Sequence, residues 1–496
     1  MRSVSIYTLG CKLNQLESEA LADSFIHCGF TLLPFNADSA RAVPDLIIIN
    51  TCTVTSRSDQ KARRVIRKSL TDSRESVVIA TGCYAKLDGE KIAALDDDIH
   101  ADFSADFSGD FSGGRRLFVT ADKTRLLDLP AYLRETLKRE NARAEDLGPL
   151  IAAWLETEAA DGETPGAAFR FRPRQFSFHT RGFLKIQDGC NNHCTYCRIR
   201  LARGPGVSMP AAGVLAELQS LEEHGFWEAV LTGVNISQYH DDELSGSKGL
   251  GGLLNYLLGN THSIGVRLSS LEPEIIDEDL CAVLAHGRIR PHFHLSVQSG
   301  SNSVLQRMGR VYTSATVERA VSLLRSVKRN PFLACDIITG FPGETTADFE
   351  QTRELCHNAG FAWIHAFPYS KRPGTAAFSL AQTVPEREAV RRVEQLTDMA
   401  RRGRRVYVNS WMGAEVEALI EKGRAGQPGL CRGLSANYLK LLLRCPQGDT
   451  PPPGVVVRCI ITEPAAPEQE ESGVDALAVS LNQYSESKCR HPVSYS

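Results

Sequence analysis

The chain has 496 residues, 42% of them apolar and 23% charged, with a formal net charge of −3. Single domains cluster at roughly 100 to 200 residues, so two to four folded units are expected, and this composition excludes a disordered chain. A near-neutral charge means that any nucleic-acid contact must rest on a local basic patch.

Residues Met1 to Gly10 lack the apolar stretch and small-residue cleavage site of a secretory signal, and no apolar run reaches the roughly 20 residues of a membrane span. A cytoplasmic location is expected. Reducing compartments disfavour disulfides, which turns attention to metal or redox chemistry for the fourteen cysteines. Six of them are organised, whereas Cys28, Cys281, Cys335, Cys356, Cys431, Cys445, Cys459 and Cys489 are scattered singly and read as small buried hydrophobes.

Residues 1–127 alternate strand-like runs (VSIYTL at 4, LIIIN at 46, VVIAT at 77) with helical patterns, which argues for an α/β domain on a parallel sheet. Asn14 to His27 places Leu16, Ala20, Leu21 and Phe25 at helical spacing, as a packing helix would. Ser58 to Leu70 is a basic helix carrying Lys61, Arg63, Arg64, Arg67 and Lys68; a solvated face is the plainer reading and a phosphate contact the alternative. At 101–114 the triplet Asp-Phe-Ser recurs every four residues, as expected of a surface insertion. Residues 128–178, with Pro130, Pro149, Pro165 and Pro173, read as a linker containing some helix.

From 179 to 404 the alternation returns, with strands expected at FLKIQ (183), AVLTG (229), IGVRLSS (264), HFHLSV (292), FLACDIITG (332) and FAWIHAFP (361). Six such units predict a barrel or partial barrel of parallel strands whose carboxyl ends carry the chemistry. Residues 405–463 hold short strands broken by Gly and Pro, predicting a small all-β barrel. The Pro-, Glu- and Ser-rich stretch 464–496 reads as a mobile tail.

The strongest chemical signal is GCNNHCTYCRIRLARG, in which Cys190, Cys194 and Cys197 follow the first barrel strand. Three thiolates on one loop can each take an iron of a four-iron cluster and leave the fourth iron open. Zinc is the main competing metal, but structural zinc wants four ligands, and His193 sits inside the same loop. A second set is dispersed: Cys11, Cys52 and Cys83 each lie just past the carboxyl end of an expected parallel strand. Such positions converge on one sheet edge, so a second cluster is weighed against three separate buried cysteines.

The Cys-x3-Cys-x2-Cys loop, with Tyr196 just before its last cysteine, resembles the radical S-adenosylmethionine superfamily. That likeness implies an open iron chelated by S-adenosylmethionine, whose reductive cleavage yields a 5'-deoxyadenosyl radical. It also implies cofactor contacts at Tyr196, at Thr232, Gly233 and Asn235 in LTGVN, and at Gln298 in HLSVQSGS. Together with TLGCKLNQLESEAL, NTCTVTSRSDQKARR, TGCYA, RLSSLEP, RMGRVYT, DIITGFPGET and FPYSKRPGTAA, the whole chain resembles the methylthiotransferases. The resemblance implies two [4Fe-4S] clusters, an auxiliary one on Cys11, Cys52 and Cys83 that supplies or carries sulfur, and an electron donor such as reduced flavodoxin or ferredoxin. It also makes 179–404 the radical core and the carboxyl-terminal barrel a TRAM module that binds RNA. Residues 401–445, with nine Lys or Arg against three Asp or Glu, suit such a contact, although an ordinary basic surface is the alternative.

Gly-Cys-Lys-Leu-Asn at 10–14, HLSVQSG at 294 and HAFPYSKRPGTAA at 365 are most similar to the branch that acts on N6-threonylcarbamoyladenosine 37 of transfer RNA. The expected reaction is methylthiolation of C2 on an anticodon-loop base splayed into the site. Isopentenyladenosine 37, a ribosomal-protein aspartate and a non-catalytic iron–sulfur RNA-binding role are the alternatives. Arg198, Ile199 and Arg200 depart from the family's usual Ile-Ile-Pro after the last cysteine, and Val207 stands where arginine is common. Proline would stiffen that loop. The arginines suggest either phosphate affinity or altered loop packing.

Overall fold

The computed structural model describes residues 2–35, 43–73, 75–106, 115–139, 147–157, 166–382, 384–423, 429–445 and 450–481. At the amino end, β1 (Ser3–Thr8), α1 (Lys12–His27), β2 (Thr31–Leu32), β3 (Leu46–Thr51), α2 (Ser56–Asp72), β4 (Val77–Gly82), α3 (Cys83–Asp106) and β5 (Leu117–Val119) build a fully parallel sheet in the order β2-β1-β3-β4-β5. Strands β3 and β4 are buried at every residue, as their unbroken apolar runs dictate.

Residues 128–178 are more than a linker. Helices α4 (Leu129–Arg139) and α5 (Leu147–Glu156) put Leu129, Leu133, Leu147, Ile151 and Trp154 into one core with Val4, Phe25 and Ile79. Their apolar periodicity is satisfied only by the sheet of the first domain. The Asp-Phe-Ser repeat begins inside a helix, since α3 continues to Asp106; residues 107–114 lie outside the described residues.

All six expected barrel strands are present. They are β6 (Gly182–Lys185), then, after a two-residue ribbon of β7 (Gln187–Asp188) and β8 (Val207–Ser208) around α6 (Ile199–Arg203) and followed by α7 (Ala211–Glu223), β9 (Glu228–Thr232). Next come α8 (Leu250–Gly259), β10 (Gly265–Leu268), α9 (Glu278–Leu284), β11 (His292–Gln298), α10 (Asn302–Arg307), α11 (Ser314–Val327), β12 (Phe332–Thr339), α12 (Thr346–Ala359) and β13 (Trp363–Pro368). Two three-stranded parallel sheets, β6-β9-β10 and β11-β12-β13, are joined by the parallel bridges Val266–Ile289 and Leu271–Leu295 into one partial barrel. Val207, paired with Asp188, is exposed.

Helix α13 (Glu386–Asn409) spans the boundary expected at 404, and the last unit follows it: β14 (Glu415–Ile420), β15 (Leu430–Ser435), β16 (Lys440–Arg444), β17 (Val456–Pro464), α14 (Pro467–Glu471) and β18 (Ala476–Ser480). These strands close a five-stranded barrel in the order β14-β15-β16-β18-β17. The expected mobile tail is therefore corrected: β18 pairs with both β16 and β17 and removes the barrel's open edge, and only residues 482–496 lie outside the described residues. The small barrel seals the amino-terminal end of the larger one. Tyr438 lies 4.0 Å from the His292 ring and 5.3 Å from Phe332, and Phe332 and Ala334 share a core with Leu441, Ile461 and Ala478.

Ala478 faces that core and is 1% exposed, whereas its neighbour Leu477 is partly exposed on the other face. Ala478→Asp is expected to cost about 3 kcal/mol, the price of an unpaired buried polar group, and Leu477→Asp much less; urea unfolding of the two variants checks the ranking.

Candidate metal centres and their shared interface

Cys11, Cys52 and Cys83 leave the ends of β1, β3 and β4, three strands that are neighbours in the sheet, so the convergence expected from sequence is met. Two glycines permit it. Gly10 has φ +100, and a Cβ there would stand 2.6 Å from the Cys52 Cβ and 2.7 Å from its Sγ. Gly82 has φ +97, and its Cβ would stand 2.4 Å from the Thr51 carbonyl oxygen. Burial pushes the Cys52 thiol up to about 12; a Val54 backbone N–H opposes this, and the neighbouring Cys11 and Cys83 sulfurs add to it.

The second set lies on the loop after β6. The Asn192 N–H donates to Cys190 Sγ and the Ile199 N–H to Cys197 Sγ, both at 3.4 Å. Burial raises the Cys197 thiol to about 12, against the Ile199 N–H and with help from Cys194 and Cys190. Among the described residues, no three His, Cys, Asp or Glu side chains converge tightly enough to hold a single metal ion. Each set supplies three thiols, and a four-iron cube takes each thiolate on a different iron, so three thiols apiece match the donor chemistry of such a cluster. His193 is engaged by the Arg200 guanidinium, with Nη1 2.5 Å from Nε2.

Beneath this loop the Tyr196 hydroxyl accepts a bond of 2.8 Å from Arg310, which also ion-pairs with the buried Glu272 at 2.8 Å. Tyr196 therefore braces the loop. Thr232 is buried at the end of β9 with its carbonyl accepting from the Ile186 N–H. Gly233 leaves room for the Gln187 carbonyl, which a Cβ would approach to 3.0 Å, and the Asn235 N–H donates to Gln187 Oε1 at 2.8 Å. Gln298 ends β11 at φ +64, a left-handed conformation uncommon outside glycine, next to a register shift in the β11–β12 ladder.

The two thiol sets belong to different domains, yet they face each other across an interface of buried charge. Arg203, on α6 just past Cys197, donates to Glu17 Oε1 and Asp188 Oδ1 at 3.1 Å and to Asn14 Oδ1 at 2.9 Å, and both Cys83 and Cys11 act on it electrostatically. Glu17 is fully buried on α1, with Lys123 at 2.5 Å and Lys185 at 3.7 Å as further partners. Burial pushes its carboxyl up, but Arg203, Lys123 and Lys185 together hold it at about 2. Arg198, one of the two unexpected arginines, is buried and bonds Asp88 Oδ2 at 2.9 Å on α3, so its role is loop packing. From the far side Arg372, after β13, reaches Thr53 Oγ1 at 2.6 Å and Asp59 at 2.7 Å beside Cys52.

Sequence reading passed over Asn14, Glu17, Lys185, Asp188, Arg203, Glu272, Arg310 and Arg372. The motif text contained most of them, but an isolated charge carries no signal until the fold sets its counter-charge opposite. Within the partial barrel, alternate residues of β11 to β13 remain reachable by solvent: His294, Ser296, Asp336, Ile338, Trp363, His365 and Phe367. On this face His294 bonds Ser270 at 2.7 Å and faces Asp336 at 3.3 Å. Of the scattered cysteines, Cys281, Cys335, Cys356, Cys431, Cys445 and Cys459 are buried and Cys28 is half-buried; Cys489 lies outside the described residues.

Breaking a buried ion pair leaves a charge without compensation. Arg203→Met should cost about 3–5 kcal/mol in urea unfolding, and adding Glu17→Gln should recover part of it. A carboxyl held at about 2 instead of its ordinary 4.5 stabilises the fold above about pH 4.5, and this contribution is lost as pH falls towards 2. Wild-type stability should accordingly drop through that window more steeply than that of Arg203→Met/Glu17→Gln.

Comparison with known proteins places these features in a family. Residues 184–356 match the Radical SAM superfamily, and residues 3–103 match Uncharacterized protein family UPF0004. The chain is 40% identical over 466 residues to the threonylcarbamoyladenosine tRNA methylthiotransferase MtaB of Treponema pallidum (strain Nichols), covering 89% of this chain and 94% of that protein. Proteins of the same name from Aquifex aeolicus (strain VF5) and Bacillus subtilis (strain 168) are 32% and 30% identical, over 88% and 90% of this chain and 96% and 91% of theirs. Among the described residues no helix is long and apolar enough to cross a membrane. With a radical SAM domain, two strand-end thiol sets and relatives matched over nearly their whole length, the chain belongs to the MtaB family of radical SAM tRNA methylthiotransferases.

Proposed function

We propose that this enzyme methylthiolates C2 of N6-threonylcarbamoyladenosine at position 37 of transfer RNA, with Cys190, Cys194 and Cys197 holding one [4Fe-4S] cluster and Cys11, Cys52 and Cys83 a second. The observation that carries the reading is the opposition of the two thiol sets across the interface that Arg198 and Arg203 hold together. When bound, the first cluster with S-adenosylmethionine supplies a radical able to take hydrogen from carbon, and the second supplies sulfur.

The chain's own residues set the geometry. Arg310 ties Tyr196 to Glu272 and fixes the floor of the radical loop, while Phe341, Val304, Met308 and Ala377 exclude water beside it. Thr232, Gly233, Asn235 and Gln298 ring the carboxyl ends of the strands, where the methionine and adenosine parts of the cofactor would lie. In the lumen, His365 and Phe367 present rings 5° from parallel, a stacking surface suited to an unstacked base. On the outside, Arg57, Lys61 and Arg64 of α2 and Arg402 and Arg444 near the small barrel are exposed and suit phosphate contact. Other cations of 401–445 serve structure instead: Arg404 pairs with Asp475, Arg405 with Glu470, and Lys422 donates to the Phe176 carbonyl. A flavodoxin or ferredoxin is the fitting source of the electron.

Nucleoside mass spectrometry on a strain lacking the modification is the test. Expression of this chain should restore the 2-methylthio derivative of threonylcarbamoyladenosine, and Cys11→Ala or Cys194→Ala should abolish it. Anaerobically reconstituted protein should hold about eight irons and each variant about four. Product on isopentenyladenosine or on a ribosomal protein, with none on threonylcarbamoyladenosine, would overturn the assignment.

A further inference from the structure

The radical loop has an outer side as well as an inner one. Cys190, Cys194 and Cys197 are each partly exposed, so a cluster on them would lie close to the surface. Two segments frame that surface. Helix α6 follows Cys197, and the segment after β13 returns to the loop, where the Ala377 N–H donates to the Thr195 carbonyl at 2.7 Å. The two segments touch each other: a Cβ on Gly374 would stand 3.0 Å from Leu201 Cδ1.

This rim carries large apolar side chains that the fold leaves in water. Leu201 is 50% exposed, Phe378 41% and Leu380 40%. Single exposed hydrophobes need no explanation, but three on adjoining segments around one loop mark a contact surface. The charge around them has one sign. No Asp or Glu occurs from Gly189 to Met209 or from Tyr369 to Pro385. Arg200 and Lys371 are exposed there, with Lys371 Nζ 5.0 Å from the centroid of the Phe378 ring. On the other flank of α6, Lys91 and Arg198 share one carboxylate, that of Asp88, at 2.7 and 2.9 Å, which leaves a net positive charge.

We infer that this face is the docking surface for an acidic flavin protein that delivers the electron to the radical loop. The inference rests on the proposed function, because a cluster that cleaves S-adenosylmethionine reductively takes one electron from outside. The electron leaves the carrier's reduced flavin and enters the cluster: the carrier is oxidised by one electron, the cluster is reduced by one, and no proton or group crosses the face. Electron transfer falls off steeply with distance, so delivery belongs at the surface beside the loop that holds the cluster. An apolar centre with a cationic rim matches an acidic protein with an apolar contact area, whereas RNA would present phosphates and leave Leu201, Phe378 and Leu380 unmatched. Electron-transfer encounters use small interfaces, and a patch on two short segments suits one.

The test is a binding titration of flavodoxin, an acidic flavin protein, against the reconstituted full-length enzyme. Wild type should bind it, and raising KCl from about 0.05 M to about 0.5 M should weaken binding roughly 10-fold. Phe378→Ser should weaken it roughly 10-fold at fixed salt, the scale of one apolar anchor, and Lys371→Glu by a similar factor with a flatter salt dependence. In both variants, affinity for the anticodon stem-loop should match wild type, and so should 5'-deoxyadenosine formation driven by dithionite, a small reductant that needs no docking. Flavodoxin affinity equal to wild type in both variants would overturn the inference, and so would an absence of binding by wild type, an arm that needs no variant to fold. Loss of stem-loop affinity in step with flavodoxin affinity would assign the face to RNA and overturn it as well. Failure of the proposed function looks different: dithionite-reduced wild type would then form no methylthio product from the threonylcarbamoyl loop, while flavodoxin would still bind and the two variants would still weaken it.

Discussion

Glu17 has no access to solvent, and its negative charge is tolerable only because Arg203, Lys123 and Lys185 surround it. Those three cations come from different parts of the chain: Lys123 from the first domain, Lys185 from the first strand of the barrel, and Arg203 from the helix behind the radical loop. A buried carboxylate of this kind adds little net stability over a well-packed apolar contact, but it punishes misplacement severely. It fixes the register between two domains whose thiol sets must lie opposite each other. The relative position of Cys11, Cys52 and Cys83 against Cys190, Cys194 and Cys197 depends on it.

Helix α1 is the element through which this constraint acts. Leu21, Ala22 and Phe25 pack into the first domain, and Leu16 belongs to the core of the barrel. Its polar residues are no less buried: Asn14 donates to the Leu9 and Thr51 carbonyls, and Glu19 accepts from the Ser177 and Phe178 N–H groups that lead into β6. The helix packs along the first barrel strand, where Lys185 faces Glu17, and the small carboxyl-terminal barrel covers the amino-terminal strand ends. These contacts hold the strand-end loops in place, while alternate residues of β11 to β13 stay reachable by solvent.

The two arginines that depart from the family's loop show how one substitution can divide into two physical roles. Arg198 is buried and pairs with Asp88, which occupies the non-helical kink of α3 just after Cys83. It adds a second bridge between the domains close to both thiol sets. Arg200 stays at the surface beside His193. An aliphatic residue and a proline would stiffen the loop from within, whereas this chain holds it from across the interface.

Local chemistry was legible in the sequence. The thiol spacings, the six barrel strands and the parallel sheet follow from residue type and period, because cysteine clusters and buried apolar runs mark themselves without reference to distant residues. The extents of the domains were less so. Helices α4 and α5 resembled a linker because prolines and charges surround short apolar faces, and β18 resembled a tail because it is five residues long and closes the barrel through long-range pairing. Nor could sequence tell that the polar face of α1 is buried, since a glutamate reads as exposed until its cations are known. What the sequence determined was the spacing of the cysteines and the order of elements, which depend on neighbours along the chain. Only the tertiary structure decided that Glu17 meets Arg203 and that Arg198 meets Asp88, because charge complementarity is a property of groups brought together in space.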